Sequence, residues 1–350
     1  MRNRFTGQEL THKRRLATLA DVAASAGVSA STASRALNGR GELSAATRAA
    51  VIEAAARLDF QPSPLARSLR TRQTYTVGFV VPDVASPFYA ASLKGAQSVL
   101  EAAGYRVMLM DSEQSVDGEL AALRTLVNHR VDGLLVATAG VGEDEFDDAV
   151  GAETPCVFLD SVLDGAGAGA VTLENAPGID LLVEHLRGHG HTRIGLLAGS
   201  QLETSGTERL EAFVAAVERT GADPSPELIR ACPWTQAAGA EETRALLALE
   251  PRPTAIVASS AELGLGCIAA CRELGVSLPG ELALASFDDP YFGALLEPSL
   301  TAVGYDTAEV GRAAAKLLVE AMRDGDAERR EVRVAVALVR RRSCGCEDPR

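Results

Sequence analysis

Apolar positions along this chain recur with two different periods, and the change of period divides it. Between Thr18 and Leu58 the spacing is helical. Leu19, Val22 and Ala23 share one face, and Thr18 with Asp21 three residues later forms a capping-box pattern. Gly27 supplies the positive φ that a sharp turn between helices needs. Ser29 then caps a second helix, predicted over Ala30–Leu37, with Ala33 and Leu37 turned inward beside Val28. Its outward face carries Ser31, Ser34 and Arg35. A third helix starts at the Ser44 cap and runs through Val51, Ile52, Ala55 and Leu58. Next, Ser63 and Pro64 can open one short helix through Leu65-Ala66-Arg67-Ser68-Leu69-Arg70. Such a helix is too short to hold alone and should order only against partners.

From Tyr75 onward, short apolar runs alternate with amphipathic helical stretches. TVGFVV at 76–81 reads as a buried strand and 88–103 as a helix. Residues 105–110 form the next strand, followed by a helix to His129 and a strand at 131–136. Residues 156–159, 193–197, 255–258 and 282–286 repeat the strand pattern with helices between them. Alternating β and α segments imply parallel sheets with right-handed crossovers. So many units suit two lobes with a cleft, and ligands bind beyond the carboxyl ends of such strands.

Charge sharpens the division. Residues 1–75 carry 12 basic and 5 acidic side chains, and the other 275 residues carry 22 and 42. A head of +7 attracts a polyanion that a body of −20 repels, which favours nucleic-acid contact through the head. Apolar residues make up 47% and charged residues 23%, as in an ordinary globular protein. No apolar run approaches the ~18 residues that span a bilayer. The basic start MRNRFTGQELTHKRR has no apolar core behind it, so a cytoplasmic protein is expected rather than an exported one. The six cysteines show no framework spacing, and free thiols without a metal site are expected. His185, His189 and His191 read as residues at a helix end.

Small residues on the second helix let it enter a major groove about 12 Å wide, with hydroxyls for phosphates and Arg35 for a guanine edge. Leu69 between Arg67 and Arg70 has the pattern of a wedge entering the minor groove between base steps. The run TLADVAASAGVSASTASRALNG followed by SPLARSLR resembles the headpiece and hinge of the LacI/GalR family of bacterial transcription regulators, and the likeness continues to Arg342-Ser343. It implies an all-α helix-turn-helix headpiece plus an α/β two-lobed, periplasmic-binding-protein-like body of parallel sheets flanked by helices. The expected organisation is a flexible basic extension at 1–15, a DNA-binding domain at 16–60 and a hinge at 61–74. A two-lobed effector-binding and dimerisation domain follows at 75–343, with a tail at 344–350. By position, Thr18, Ser29, Ser34, Asn38, Ser44 and Thr47 would hold phosphates, and Thr32 stands among the DNA-binding residues. Ala30, Ser31 and Arg35 would face bases, while Leu69, flanked by Arg67, would intercalate. A homodimer on a pseudo-palindromic operator, acting chiefly as a repressor and needing no cofactor, is implied.

Polar residues follow successive strands of the body: Asp83, Ser86, Phe88 and Tyr89, then Asp160, then Glu203, Ser205 and Arg209, with Trp234 in a later loop and Asp288 after 282–286. Carboxylates and an arginine beside aromatic platforms suit a sugar- or nucleoside-type ligand. For any one of them, ordinary turn chemistry competes. The resemblance places Phe88, Tyr89, Asp160, Ser205, Arg209, Trp234 and Asp288 of this set, with a small polar effector, in the interlobe cleft. Ser260-Ala261 stands where many members carry a carboxylate, and Glu262 is expected to point elsewhere if helical. Both points count against an ordinary monosaccharide. Glu203 stands where some purine-binding members place an arginine, which disfavours that class of corepressor. Gly165 to Ala170 formally fits a nucleotide-binding glycine fingerprint but precedes a strand, so a flexible connection is expected. No arrangement of residues makes a catalytic set. An exported ligand-binding protein would share the body but lack the head.

Overall fold

The structure is a computed structural model that describes residues 17–39, 41–60, 73–163, 165–324 and 329–346. The chain separates into two units, Met1–Thr74 and Tyr75–Arg350.

In the first unit lie α1 (Leu19–Ser25), α2 (Ala30–Leu37) and α3 (Ala45–Arg57). Each begins at a hydroxyl cap. Thr18 Oγ1 accepts the Asp21 amide at 3.3 Å while Asp21 Oδ2 accepts the Thr18 amide at 2.8 Å. Ser29 and Ser44 accept the amides of Thr32 and Thr47 at 3.2 and 3.1 Å. Each such cap contributes about 1 kcal/mol. Gly27 turns the chain at φ +66°. The core is built almost wholly from small side chains: Val22, Ala23, Ala33, Ala36, Val51, Ala54 and Ala55. Close helix packing follows directly from their size. Ile52 departs from its expected place in the apolar run, being 53% exposed.

The second unit holds two six-stranded sheets. One contains β1 (Thr76–Val81), β2 (Arg106–Asp111), β3 (Gly133–Val136), β4 (Cys156–Leu159), β5 (Gly169–Leu173) and β11 (Arg330–Val334), in the order β11-β5-β4-β3-β1-β2. Every pairing in it is parallel. The other contains β6 (Ile194–Leu197), β7 (Ile229–Arg230), β8 (Ala255–Ala258), β9 (Ala283–Phe287), β10 (Thr301–Gly304) and β12 (Ala337–Val339), ordered β12-β10-β9-β8-β6-β7. Only β12 runs antiparallel there. Central strands read as continuous apolar runs because both faces of a parallel sheet are covered. On β1, Val77, Phe79 and Val81 join one core with Ala96 and Leu100, whereas Val80 joins another with Leu120, Leu123 and Phe146.

The helices of the first lobe are α4 (Pro87–Ala102), α5 (Val116–Asn128), α6 (Glu143–Val150) and α11 (Thr307–Asp324). Those of the second are α7 (Asn175–Gly188), α8 (Thr204–Thr220), α9 (Gln236–Leu247) and α10 (Ala261–Leu274). The chain passes between lobes after β5, after β10 and after β11. Helices α4 and α11 touch backbone to backbone: a Cβ at Gly95 would strike the Ala308 carbonyl, and one at Gly311 the Ser92 carbonyl. The glycine run before β5 leads into a strand rather than a helix, so the nucleotide fingerprint lacks its structural context.

Candidate functional site

Two surfaces carry the residues singled out from the sequence. On α2, Ala30, Ser31 and Arg35 are exposed, with Ser34 and Thr32 half-buried beside them. The Arg35 guanidinium lies back along its own helix, its Nε 3.4 Å from the Ser31 carbonyl. Asn38 closes the helix by donating to the Ser34 carbonyl at 2.6 Å. Ser29, Ser44 and Thr18 sit at three helix N-termini, where free amides and the positive dipole end suit phosphate oxygens. The expected wedge Leu69 and its neighbour Arg67 lie outside the described residues.

Within the second unit, the carboxyl ends of the strands from both lobes face one cavity. Its lining includes Asp83, Ser86, Phe88, Tyr89 and Asp160 from the first lobe and Glu203, Arg209, Trp234 and Asp288 from the second. Arg209 is its centre. It is 3% exposed, donates to Asn175 Oδ1 at 2.8 Å and to the Ser259 carbonyl at 2.6 Å, and lies 3.7 Å from Asp160 Oδ1. Its guanidinium stacks 3.9 Å over the Phe287 ring. Asp160 and Asp288 follow β4 and β9 in the left-handed region at φ +65° and +68°, a conformation aspartate tolerates better than most residues. Tyr305 donates to Asp288 at 2.5 Å. Asp289, next in sequence, turns instead to a bidentate pair with Arg341.

Carboxylates outnumber cations here, and their protonation shows it. Burial pushes the Asp160 carboxyl up to about 6 against the pull of Arg209, with Asp288 adding to the rise. Burial, then Asp160, pushes Glu203 up to about 8, although the Trp234 indole donates to it at 2.8 Å. Glu203 is therefore mostly protonated at neutral pH and can donate as well as accept. Burial and Asp288 raise Glu262 as well.

Three placements differ from expectation. Ser205 is buried behind the wall, 2.9 Å from Ser161 Oγ and 3.5 Å from Asp160 Oδ2, where it steadies Asp160. Glu262 is helical yet lines the cavity, accepting from Ser86 across the lobes at 3.0 Å. Side chains in a first helical turn lean toward the helix N-terminus, and that end of α10 faces the cavity. Glu262 thus supplies a carboxylate that Ser260-Ala261 lacks. Gln114, not singled out from the sequence, also lines the cavity, as does Ser260, which the sequence offered only as a position lacking a carboxylate. Finally, the side chains expected to be free thiols and helix-end histidines converge: His185, His189, Cys344 and Cys346 place their ligand atoms within 4.8 Å of one another. Cys344, expected to start a tail, is buried in the body's core.

A groove-sized helical head and a ligand-sized cleft between lobes define a ligand-responsive DNA-binding regulator. The head matches the family model for bacterial regulatory proteins of the lacI family over residues 18–63, and residues 183–344 match the model for a periplasmic binding protein-like domain. The chain is 28% identical to catabolite control protein A of Priestia megaterium over 87% of its length and 92% of that protein. It is similar to the lac repressor dimer bound to operator and the anti-inducer ONPF, with 26% identity, 94% and 99% coverage and a TM-score of 0.84. The CelR–cellobiose complex matches at 29% identity, 93% and 99% coverage and a TM-score of 0.71. The chain belongs to the LacI family of bacterial regulatory proteins, and it is a DNA-binding transcriptional regulator with an effector-binding body. No described helix is long and apolar enough to cross a membrane.

Proposed function

We propose that this regulator represses transcription as a homodimer on a pseudo-palindromic operator, and that a small neutral, hydroxyl-rich metabolite in the interlobe cleft sets its operator affinity. The observation that carries the reading is the buried Arg209 ringed by Asp160, Glu203, Glu262 and Asp288 beside Trp234 and Phe88. Hydroxyl groups both donate to carboxylates and accept from a guanidinium, so a polyol satisfies this ring where an anion is repelled by it. An aromatic face suits the apolar side of a sugar ring. Glu203 disfavours a purine corepressor of the kind held by an arginine at its position. CelR is solved with cellobiose and the lac repressor as a dimer on operator, and both modes fit these surfaces.

On the DNA, Ala30, Ser31 and Arg35 read bases, Thr18, Ser29, Ser34, Asn38, Ser44 and Thr47 hold phosphates, and Thr32 belongs to the same DNA-facing set. Leu69, flanked by Arg67, opens the operator centre. Because Ala30 and Ser31 are small, selectivity leans on Arg35 and on DNA deformability. Fluorescence anisotropy with palindromic duplexes, run with a thermal-shift screen of neutral sugars and nucleosides, tests the whole. A ligand that shifts both melting and operator affinity is expected, and Asp288→Ala abolishes its effect while operator binding without ligand persists. A response that survives Asp288→Ala moves the effector out of this cleft.

A further inference from the structure

Helix α7 leaves the cleft at Asn175, whose side chain accepts from Arg209, and ends about 20 Å away. At that far end His185 and His189 stand one turn apart on the same face. The last described residues reach the same place from β12: a short turn over Arg342–Cys344, then Gly345 at φ +93°, a conformation L side chains rarely adopt. That reversal presents Cys344 and Cys346 to the two imidazoles. His185 Nε2 lies 3.2 Å from Cys344 Sγ and 3.5 Å from Cys346 Sγ, and His189 Nε2 lies 3.2 Å from Cys346 Sγ. The two rings meet edge to face at 4.8 Å.

From this geometry we propose that His185, His189, Cys344 and Cys346 form a tetrahedral site for one zinc-class divalent cation, fastening the C-terminal segment to the end of α7. Zinc bonds of about 2.3 Å to sulfur and 2.0–2.1 Å to nitrogen set S···N edges of roughly 3.5 Å, close to the spacings seen. Hydrogen bonding alone accounts for the cluster less well. A single ring nitrogen, His185 Nε2, approaches both sulfurs, yet it can share only one proton with one of them. A cation between the four groups satisfies all of them together. Around it, Thr301 Oγ1 sits 3.0 Å from Cys344 Sγ and orients that ligand, as outer groups do in metal sites. Cys346 is half-buried and His189 exposed, which leaves an entry path. The helix C-terminus, a carbonyl end, adds a favourable field for a cation.

The test is made on tag-free full-length protein purified under reducing conditions without chelator. Elemental analysis should find one zinc per chain in the wild type. In His189→Ala, an exposed position whose loss leaves the core intact, zinc falls at least tenfold, and in Cys344→Ser/Cys346→Ser it falls to background. Cobalt added to chelator-stripped wild type should give thiolate-to-cobalt charge-transfer and tetrahedral ligand-field bands that His189→Ala loses. Stripping should lower the melting temperature of the body, and zinc should restore it. Operator and effector binding are read separately, so failure of the site leaves the regulatory reading standing. Background zinc in the wild type together with a cobalt spectrum lacking thiolate bands overturns the proposal. Metal uptake equal in wild type and His189→Ala overturns it too.

Discussion

Replacing Arg209 by methionine keeps most of the side-chain volume and removes the one cation among the described residues of the cleft's carboxylate ring. Three groups lose Arg209 as a partner: Asn175 Oδ1, the Ser259 carbonyl and the Asp160 carboxylate, which keeps only Ser205. The first two are neutral acceptors, and leaving each unsatisfied costs about 1–3 kcal/mol at any pH. The third depends on pH. Asp160 at about 6 instead of the ordinary 3.8 already places its ionised form about 3 kcal/mol above the unfolded reference at neutral pH. Arg209 is what lowers that cost, so without it the folded-state pKa climbs further and ionisation becomes dearer still. A raised folded-state value means stability that is complete below the unfolded pKa and lost as pH rises through the folded one. The variant should therefore lose about 2–6 kcal/mol near pH 5, where Asp160 can stay protonated, and at least about 2 kcal/mol more near pH 8. Urea titration read through Trp234 fluorescence measures this, since the sole tryptophan stands in the same wall. A loss identical at both pH values would show that Arg209 does not hold Asp160, and the electrostatic account of the cleft would fail.

Glu203 gives a second pH signature: held at about 8 in place of 4.5, it should cost the body about 2–3 kcal/mol between pH ~6 and ~9, and Glu203→Gln should flatten that slope while keeping the Trp234 hydrogen bond, both checked by the same denaturation series. Arg35→Ala should weaken specific operator binding by about 1–3 kcal/mol per half-site, with binding to random duplex changed less, as anisotropy would report. Gly311→Val drives a side chain into the Ser92 carbonyl and should lower stability by about 3 kcal/mol in urea titration without touching the headpiece's own unfolding. Ser29→Ala removes the cap of α2 and should cost the headpiece about 1 kcal/mol, read by far-ultraviolet circular dichroism on heating.

What the sequence revealed follows from range. Thr18 with Asp21, Ser29 with Thr32 and Ser44 with Thr47 act over three residues, so all three caps could be read locally. The apolar runs at Thr76–Val81 and Ala255–Ala258 were legible because a strand covered on both faces has no polar side to show. The cleft residues were legible as a set because parallel strands all end on one side. Glu262 was misjudged since its direction depends on where the start of α10 points, which only tertiary packing fixes. Beyond Asp289 the periods gave no reading of β10, α11 or β11, which cross between lobes instead of repeating a local unit. The His185–Cys344 contact spans 159 residues, and no local pattern announces it.

These placements also bear on how a ligand in the cleft could be felt elsewhere. A ligand shifts an equilibrium only by its difference in affinity between two states. Contacts confined to one lobe are the same whether the lobes are apart or together, and contribute nothing to that difference. Ser86 donating to Glu262 at 3.0 Å shows that first-lobe and second-lobe groups can already meet across the cavity. The discriminating contacts must then be those a hydroxyl-rich ligand makes to both sides at once, Asp83 or Asp160 on one and Arg209 or Asp288 on the other. Removing a residue whose contact to the ligand is kept whether the lobes are apart or together should reduce affinity equally in both states and leave the coupling to operator unchanged. Arg209 on the second lobe lies 3.7 Å from Asp160 on the first, a contact that itself depends on how the lobes sit, so substitution there should change the coupling as well as the affinity.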